Sequence, residues 1–481
     1  MATMRMALFA LAALLAGGMA RGEVVQGGLE LRWGDSAPAP ASRPAPRFEA
    51  ALVVDGGARI VLDAGQARRG AGDLYALANR RVAVAFGRAK SGGGRAIDAI
   101  VPVDGADDSL VHVRSGRADG IAKATLGPTR WITVACRFGD VADEQKPVEF
   151  FRGQYGEAAG QLGHYWREVS YDRINLAGSD AVGWYALPQP RSHYVTREGD
   201  KDKADLNALF DDCTAAADAD VDFSDVVGIN LMFNGDLDGY AWGGGRCATL
   251  DGRNRCWSAT WNPPWSFNNL APLAHEMGHG YGLPHSDNSD GDDDTYDNPW
   301  DVMSDGWSNA VHSPTYGALP KHVNMLQRDR LGWVDTARKR TFQVDGPRTR
   351  LQLDFASLPD AGAAQMLVLQ TPSSPDPYSG AFYTVEARRR GGAYEGELAG
   401  DAVIIHRVGS DYRYEAESQD ADRPPADVAN NEGSMFKPGE AWISPDGLFT
   451  LYVEAANANG FTVIVGDRGR VTGGEGPRRR R

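Results

Sequence analysis

The chain has 481 residues, 42% of them hydrophobic, with 58 glycines, which suits two or three domains with ordinary cores and many turns. Its formal net charge of −14 argues against nucleic acid or an anionic membrane surface as a partner.

The first stretch, MATMRMALFALAALLAGGMA, pairs Arg5 with a short apolar run and small residues before Ala20. It reads as a signal peptide over 1–20, too short to span a bilayer. The expectation is a secreted, extracellular protein with no stable membrane insertion. Residues 21–47 run into the Pro/Ala-rich DSAPAPASRPAPR and read as an arm or linker. Residues 48–125 alternate short apolar runs (ALVV, RIVL, RVAVAF) with Gly- and Asp-rich turns, which predicts a small β domain. A pro-segment and an accessory module both fit it.

From residue 128 the pattern changes. RWITVACRF reads as a buried strand, and Phe150, Phe151, Tyr155, Leu162, Tyr165, Trp166 and Val169 recur at helical spacing. KADLNALFDDCTAAADA reads as a helix with Leu206, Leu209, Phe210 and Cys213 on one face, and DVVGINLMFNG as a central strand. Strands alternating with helices over 128–335 predict an α+β domain with a mixed, twisted sheet. From 340 to 467, seven strand-like runs with turn punctuation predict a β-sandwich-like domain. The basic end, 468–481, reads as a disordered tail. Export would put the four cysteines in an oxidising compartment. Cys247 and Cys256 flank the turn-like Asp251-Gly252, which predicts a hairpin disulfide and leaves Cys136 with Cys213.

The chemistry concentrates at HEMGHGYGLPH, 275–285. On a helix capped by Asn268 or Asn269, His275 and His279 are i and i+4 and leave the same face. Two imidazoles so placed can chelate one ion. Gly282 can adopt φ > 0, end the helix and return the chain as His285, a third ligand. Three neutral histidines leave a fourth zinc position open, as catalytic sites require. Glu276 sits beside the first ligand, placed to take a proton from water. With nine histidines in 481 residues, this spacing arises by chance in fewer than about one in ten thousand such chains.

HEMGHGYGLPH resembles the long zinc signature of the metzincin metalloendopeptidases, and NPWDVMSDG resembles their Met-turn. RWITVACRFGD, DVVGINLMFNG and HVNMLQRDRLGWV are similar to segments of the secreted gametolysin and immune inhibitor A-like metallopeptidases. The resemblance covers about 128–467. It implies a metzincin-like α+β fold, a Zn2+ ion on His275, His279 and His285, Glu276 as general base and Met303 as the Met-turn residue. It also implies a protein or peptide substrate, such as an extracellular matrix or cell-wall protein. The alternatives are an inactive binding or adhesion protein on that fold, or a glycan- or matrix-binding protein acting through its β modules. His285 follows the gametolysin pattern rather than the Asp of immune inhibitor A. Asp305, two residues after Met303, replaces the Tyr that some metzincins use as an extra ligand. No Cys precedes Cys136, against thiol-based latency. RFGD (137–140) loosely matches an aspartate-switch motif but reads as the end of the first strand of the α+β domain.

Weaker signals remain. Asp287, Asp290, Asp292, Asp293 and Asp294 could hold Ca2+, although the EF-hand spacing is missing and a solvated loop fits better. Asp236 and Asp238 raise the same question beside a turn reading. GYAWGGGRC (239–247) fits an edge strand that binds extended substrate or a Gly-rich connector. Trp257, Trp261 and Trp265 read as packing rather than a cleft lining. His112, His164, His193, His312, His322 and His406 read as structural or surface.

Overall fold

The structure is a computed structural model that describes residues 23–38, 45–89, 95–103, 124–292, 294–373, 380–409, 414–422 and 431–466. The expected signal peptide, the basic tail, His112 and Asp293 lie outside these residues. Among the described residues no helix is long and apolar enough to cross a membrane.

The fold is mixed α and β, as expected in outline. A ten-stranded sheet dominates. Four of its strands run parallel: Asp180–Ala186, Trp131–Arg137, Gly228–Phe233 and Arg253–Asn262. Gly228–Phe233 is wholly buried, as a strand covered on both faces must be. Its alternate residues feed two cores. Met232 joins Trp131, Phe151, Trp166, Leu273, Met277 and Met303 on one side. Leu231 and Phe233 join Phe210, Cys213 and Trp261 on the other. The predicted helical stretch around Phe150 is two helices, Val148–Gln154 and Leu162–Val169. The expected helix at 203–219 spans Leu206–Ala217, with its four predicted inward residues buried.

Both predicted disulfides are present. Cys136–Cys213 pins that helix to the sheet, and Cys247–Cys256 closes a hairpin whose turn carries Asp251 and Gly252 at φ 47° and 73°. The hairpin pairs Tyr240–Leu250, called here the glycine strand, with Arg253–Asn262.

The N-terminal region departs from expectation. Within the supposed linker 21–47, Glu23–Ser36 forms a 14-residue strand, β1. The residues predicted to make a separate β domain include β2 (Arg47–Val54), β3 (Arg59–Leu62), β4 (Arg81–Ala89) and β5 (Arg95–Pro102). They continue the large sheet instead of forming a sheet of their own, because β1 joins them to it. β1 pairs with β4 through Glu23–Gly28, with β2 through Gly27–Gly34, and with the glycine strand through Arg32–Ser36. The composition of the Pro/Ala stretch hid this strand. Leu29, Leu31 and Trp33 alternate into an apolar core. Between them, buried Glu30 and Arg32 pair with each other at 3.0 Å, and Glu30 also accepts from Arg59 and the Cys247 N–H. Leu29-Glu30-Leu31-Arg32-Trp33 has the apolar/polar alternation of a half-exposed strand, yet both faces are buried, because the charges between the apolar residues pair.

All seven strand-like runs of 340–467 are strands. They build a six-stranded and a four-stranded sheet that share one apolar core, including Val385, Ile405, Leu451 and Val463. The six-stranded sheet also takes in Lys339–Gln343, Ala416–Ser418 and a short strand from far upstream. Ser286–Asn288, directly after His285, forms the edge strand of the six-stranded sheet, parallel to Ala416–Ser418.

Candidate metal centre

The site is built on the helix Leu270–Gly280, here the site helix, every residue of which is buried. Asn269 takes the N-cap backbone position as expected, but its side chain accepts from the Ala318 N–H instead of capping the helix. His275 and His279 leave the same face. Their Nε2 atoms are 3.0 Å apart, and His279 Nε2 is 3.2 Å from His285 Nε2. Gly282, at φ 88°, makes the predicted turn that brings His285 back. Each helical imidazole is oriented by a carbonyl: His275 Nδ1 donates to Val302 O at 2.6 Å and His279 Nδ1 to Leu283 O at 2.7 Å. A carbonyl can only accept, so both Nε2 atoms carry lone pairs facing one point.

Met303 lies beneath the helix, fully buried. A Cβ on Gly278 would lie 2.4 Å from Met303 Sδ, so the contact requires glycine there. The Met303 carbonyl accepts from the Ser286 N–H at 3.1 Å and ties this turn to the third histidine. Asp305, where a tyrosine ligand was not expected, pairs with buried Lys321 at 2.9 Å. The carboxylate of Glu276 is buried and its Oε2 accepts no hydrogen bond. The glycine strand passes so close that a Cβ on Gly243 would sit 2.8 Å from that oxygen. The GGG run is therefore a close-approach strand.

One residue of the site was missed by sequence analysis. Asp35, at the end of β1, places Oδ1 2.7 Å from His285 Nε2 and Oδ2 3.3 and 3.4 Å from the Nε2 atoms of His279 and His275. The Tyr296 hydroxyl donates to Oδ1 at 2.6 Å, and Oδ2 has no hydrogen-bond partner. Trp33 stacks on the His279 ring, 4.6 Å between centroids at 4°. The available signal was the Leu29-x-Leu31-x-Trp33 alternation ending at Gly34-Asp35, which reads as a strand that stops at an acid. RFGD does not reach the centre: Asp140 accepts from the Arg191 N–H at 2.8 Å.

These residues fit a divalent metal. Four donor atoms, one from each of Asp35, His275, His279 and His285, lie within 4.8 Å of one another. Tetrahedral nitrogen ligands at 2.0–2.1 Å from zinc are about 3.3 Å apart, close to the spacings seen. A buried carboxylate oxygen with no donor of its own is costly unless a cation faces it. The electrostatics agree. Burial pushes His279 down to about 3, aided by the neighbouring His275 and His285. Burial pushes Glu276 well above the carboxylate range, and the Asp35 charge adds to it. Burial also opposes ionisation of Asp35, but His285 and His275 outweigh it and hold that carboxyl well below its usual value.

No known protein family and no curated protein matches this chain. The geometry is therefore the support the site has beyond its sequence.

The acidic loop after His285 is a ladder of turns. Asn288 Oδ1, Asp290, Asp292 and Asp294 each accept the backbone N–H two residues on. Carboxylates of Asp290, Asp292 and Asp297 also come within 4.8 Å of one another. Burial, with the charge of Asp287, pushes Asp297 up to about 10, and burial raises Asp287 to about 7. Asp238 instead pairs with Arg47 at 2.7 Å and accepts from Trp242 at 3.0 Å. Trp257 and Trp261 are fully buried core residues, as expected, and Trp265 is half-buried. His164 lies 3.0 Å from the Tyr394 hydroxyl, His193 and His312 are exposed, and His322 and His406 are buried away from the site.

Proposed function

We propose that this chain is a secreted zinc-dependent endopeptidase of the metzincin kind, acting on extended segments of extracellular proteins. The observation that carries the reading is the convergence of three imidazoles, two of them oriented by carbonyls, beside the buried carboxylate of Glu276, whose Oε2 accepts no hydrogen bond. Borderline nitrogen donors in this number suit zinc above harder cations. When bound by His275, His279 and His285, zinc would supply a Lewis acid and an acidified water. Glu276 accepts the proton of the attacking water at Oε2 and hands it to the leaving amine. His275 and His279 hold their orientation through Val302 and Leu283, and Met303 supports the helix from below. Two disulfides accord with an oxidising, extracellular setting. Asp290, Asp292 and Asp297 offer the hard oxygen ligands calcium takes. Asp297 Oδ2, buried without a hydrogen bond, supports calcium as a stabiliser of that loop.

Intact Glu276 favours an enzyme over an inactive binding protein on the same frame. Metal analysis of zinc-replete protein is expected to return about one zinc per chain. Peptide-library hydrolysis is expected to be lost in Glu276→Gln and on chelation, with zinc retained in the variant. Zinc well below one per chain, or hydrolysis unchanged in Glu276→Gln, would sink the proposal. Carbohydrate binding with no hydrolysis under any condition would favour the β-module alternative.

A further inference from the structure

We infer that the acidic loop is a second cation site coupled to the histidine centre: calcium held by Asp290, Asp292 and Asp297 tightens zinc on His275, His279 and His285, and zinc tightens calcium by the same factor. The inference rests on the zinc reading above and names what regulates that centre.

The ligands come first. One carboxylate oxygen from each of Asp290, Asp292 and Asp297 lies within 4.8 Å of the others. Calcium takes oxygens at 2.3–2.6 Å, so oxygens on opposite sides of one ion stand about 5 Å apart or less. The loop's own backbone already holds the Oδ1 atoms. Asp297 Oδ1 accepts from the Asn288 N–H at 2.9 Å, Asp290 Oδ1 from the Asp292 N–H at 3.0 Å, and Asp292 Oδ1 from the Asp294 N–H at 2.7 Å. The Oδ2 atom of Asp297, a residue 2% exposed, is buried and accepts no hydrogen bond. Turns alone do not account for that oxygen, which is costly there unless a cation faces it.

The surrounding charge has one sign. The leading charges on Asp297 are those of Asp287 and Asp290, and the leading charges on Asp287 are those of Glu415 and Glu417, at the adjoining strand Ala416–Ser418. Like charges drawn this close oppose closure of the loop. A bound divalent ion becomes the largest local charge and reverses that balance.

The loop begins and ends at the histidine centre. His285 leads directly into Ser286–Asn288, and the Ser286 N–H donates to the Met303 carbonyl at 3.1 Å, where the loop returns. Asn288, at the end of the same short strand, donates to Asp297, so one carboxylate serves both the cation cluster and the strand that follows the third histidine. Tyr296, one residue before Asp297, has its ring centroid 6.0 Å from that of His285. Closing the loop on calcium therefore sets His285 for zinc. Each ion meets a segment that the other has already ordered, and thermodynamic linkage makes the two gains in affinity equal.

The test uses the full-length protein stripped of metals. Calcium binding is measured by titration calorimetry with and without zinc, and zinc affinity by competition with a chelating dye with and without calcium. The zinc-loaded wild type is expected to bind about one calcium per chain. Each ion is expected to tighten the other about ten-fold, by equal factors within error. Asp297→Asn and the double variant Asp290→Asn/Asp292→Asn, the second placed nearer the surface in case the first fails to fold, are expected to lose calcium binding. Both should keep the zinc affinity that the wild type shows without calcium. No calcium bound by the zinc-loaded wild type at about 10 mM overturns the inference. Calcium bound with zinc affinity unchanged also overturns it, as does coupling that persists undiminished in the variants. Neither readout uses hydrolysis. Coupling in a protein that cleaves no peptide therefore supports this inference and overturns the peptidase reading, whereas a zinc-dependent peptidase without coupling does the reverse. No zinc bound under any condition overturns both.

Discussion

At the scale of single residues, two buried glycines separate close packing from room to spare. Gly278 sits where a Cβ would meet Met303 Sδ at 2.4 Å in a fully buried layer. Gly306, nearby, would bring a Cβ no nearer than 3.7 Å to Ala271. Gly278→Ala is therefore expected to lower stability by about 1–3 kcal/mol through overpacking. On the proposed metal reading, the same variant should also give up metal more readily, because the helix must move off Met303. Gly306→Ala should stay within about 0.5 kcal/mol of wild type. Thermal unfolding of the two variants checks the contrast, and equal midpoints would show that Met303 yields freely. Residue types in a fixed local pattern were legible here without a structure. His275, Glu276, His279, Gly282 and His285 fall within eleven positions, so helix geometry and one turn suffice to bring them together. Asp35 was not legible, because it meets His285 from 250 positions away.

At the scale of elements, the two disulfides fasten different things. Cys136–Cys213 spans 77 residues and joins a helix to the sheet, while Cys247–Cys256 spans 9 within one hairpin. In the chain-entropy account, the longer loop stabilises more by about 2 kcal/mol. Replacing both cysteines of the long pair with alanine should lower the denaturation midpoint clearly more than replacing those of the hairpin pair. A larger loss from the hairpin pair would mean that native contacts outweigh loop entropy. Most strands and the main helices were readable as elements, since period and turn residues are local signals. The partners of those elements were not. The glycine strand reads as an edge, yet β1 covers it. β1 reads as part of a linker, yet it joins the N-terminal strands to the large sheet.

At the scale of the whole molecule, the C-terminal β region is bolted to the site. Arg388, fully buried, donates to the Trp300 carbonyl and pairs with Glu386 and Glu395. Glu386 accepts from the Met325 N–H. Truncating that region therefore removes support from the loop that carries Trp300 and Met303, and the site is not confined to 128–335. The same sheet carries an acid-sensitive group. Burial pushes His406 from 6.5 down to about 4. Its folded pKa is below its unfolded one, so the unfolded chain binds the proton first on acidification. Stability is whole above about pH 6.5 and is lost as pH falls from there towards 4, by roughly 3 kcal/mol at about 1.4 kcal/mol per unit. Denaturation midpoints measured from pH 7.5 to 4 should fall less steeply in His406→Gln. Parallel slopes would remove His406 from the acid response.

The sequence by itself determined the helix that carries His275, Glu276 and His279, the glycine turn to His285, the disulfide pairs and the strand-rich C-terminal region. Each of these depends on spacing along the chain or on the identity of a few neighbouring residues. Only the tertiary structure decided that one continuous sheet joins the N-terminal strands to the metal centre, and that an aspartate from a supposed linker faces three histidines. Strand pairing is set by burial and register among distant segments, and no local periodicity encodes which distant edge a strand will take.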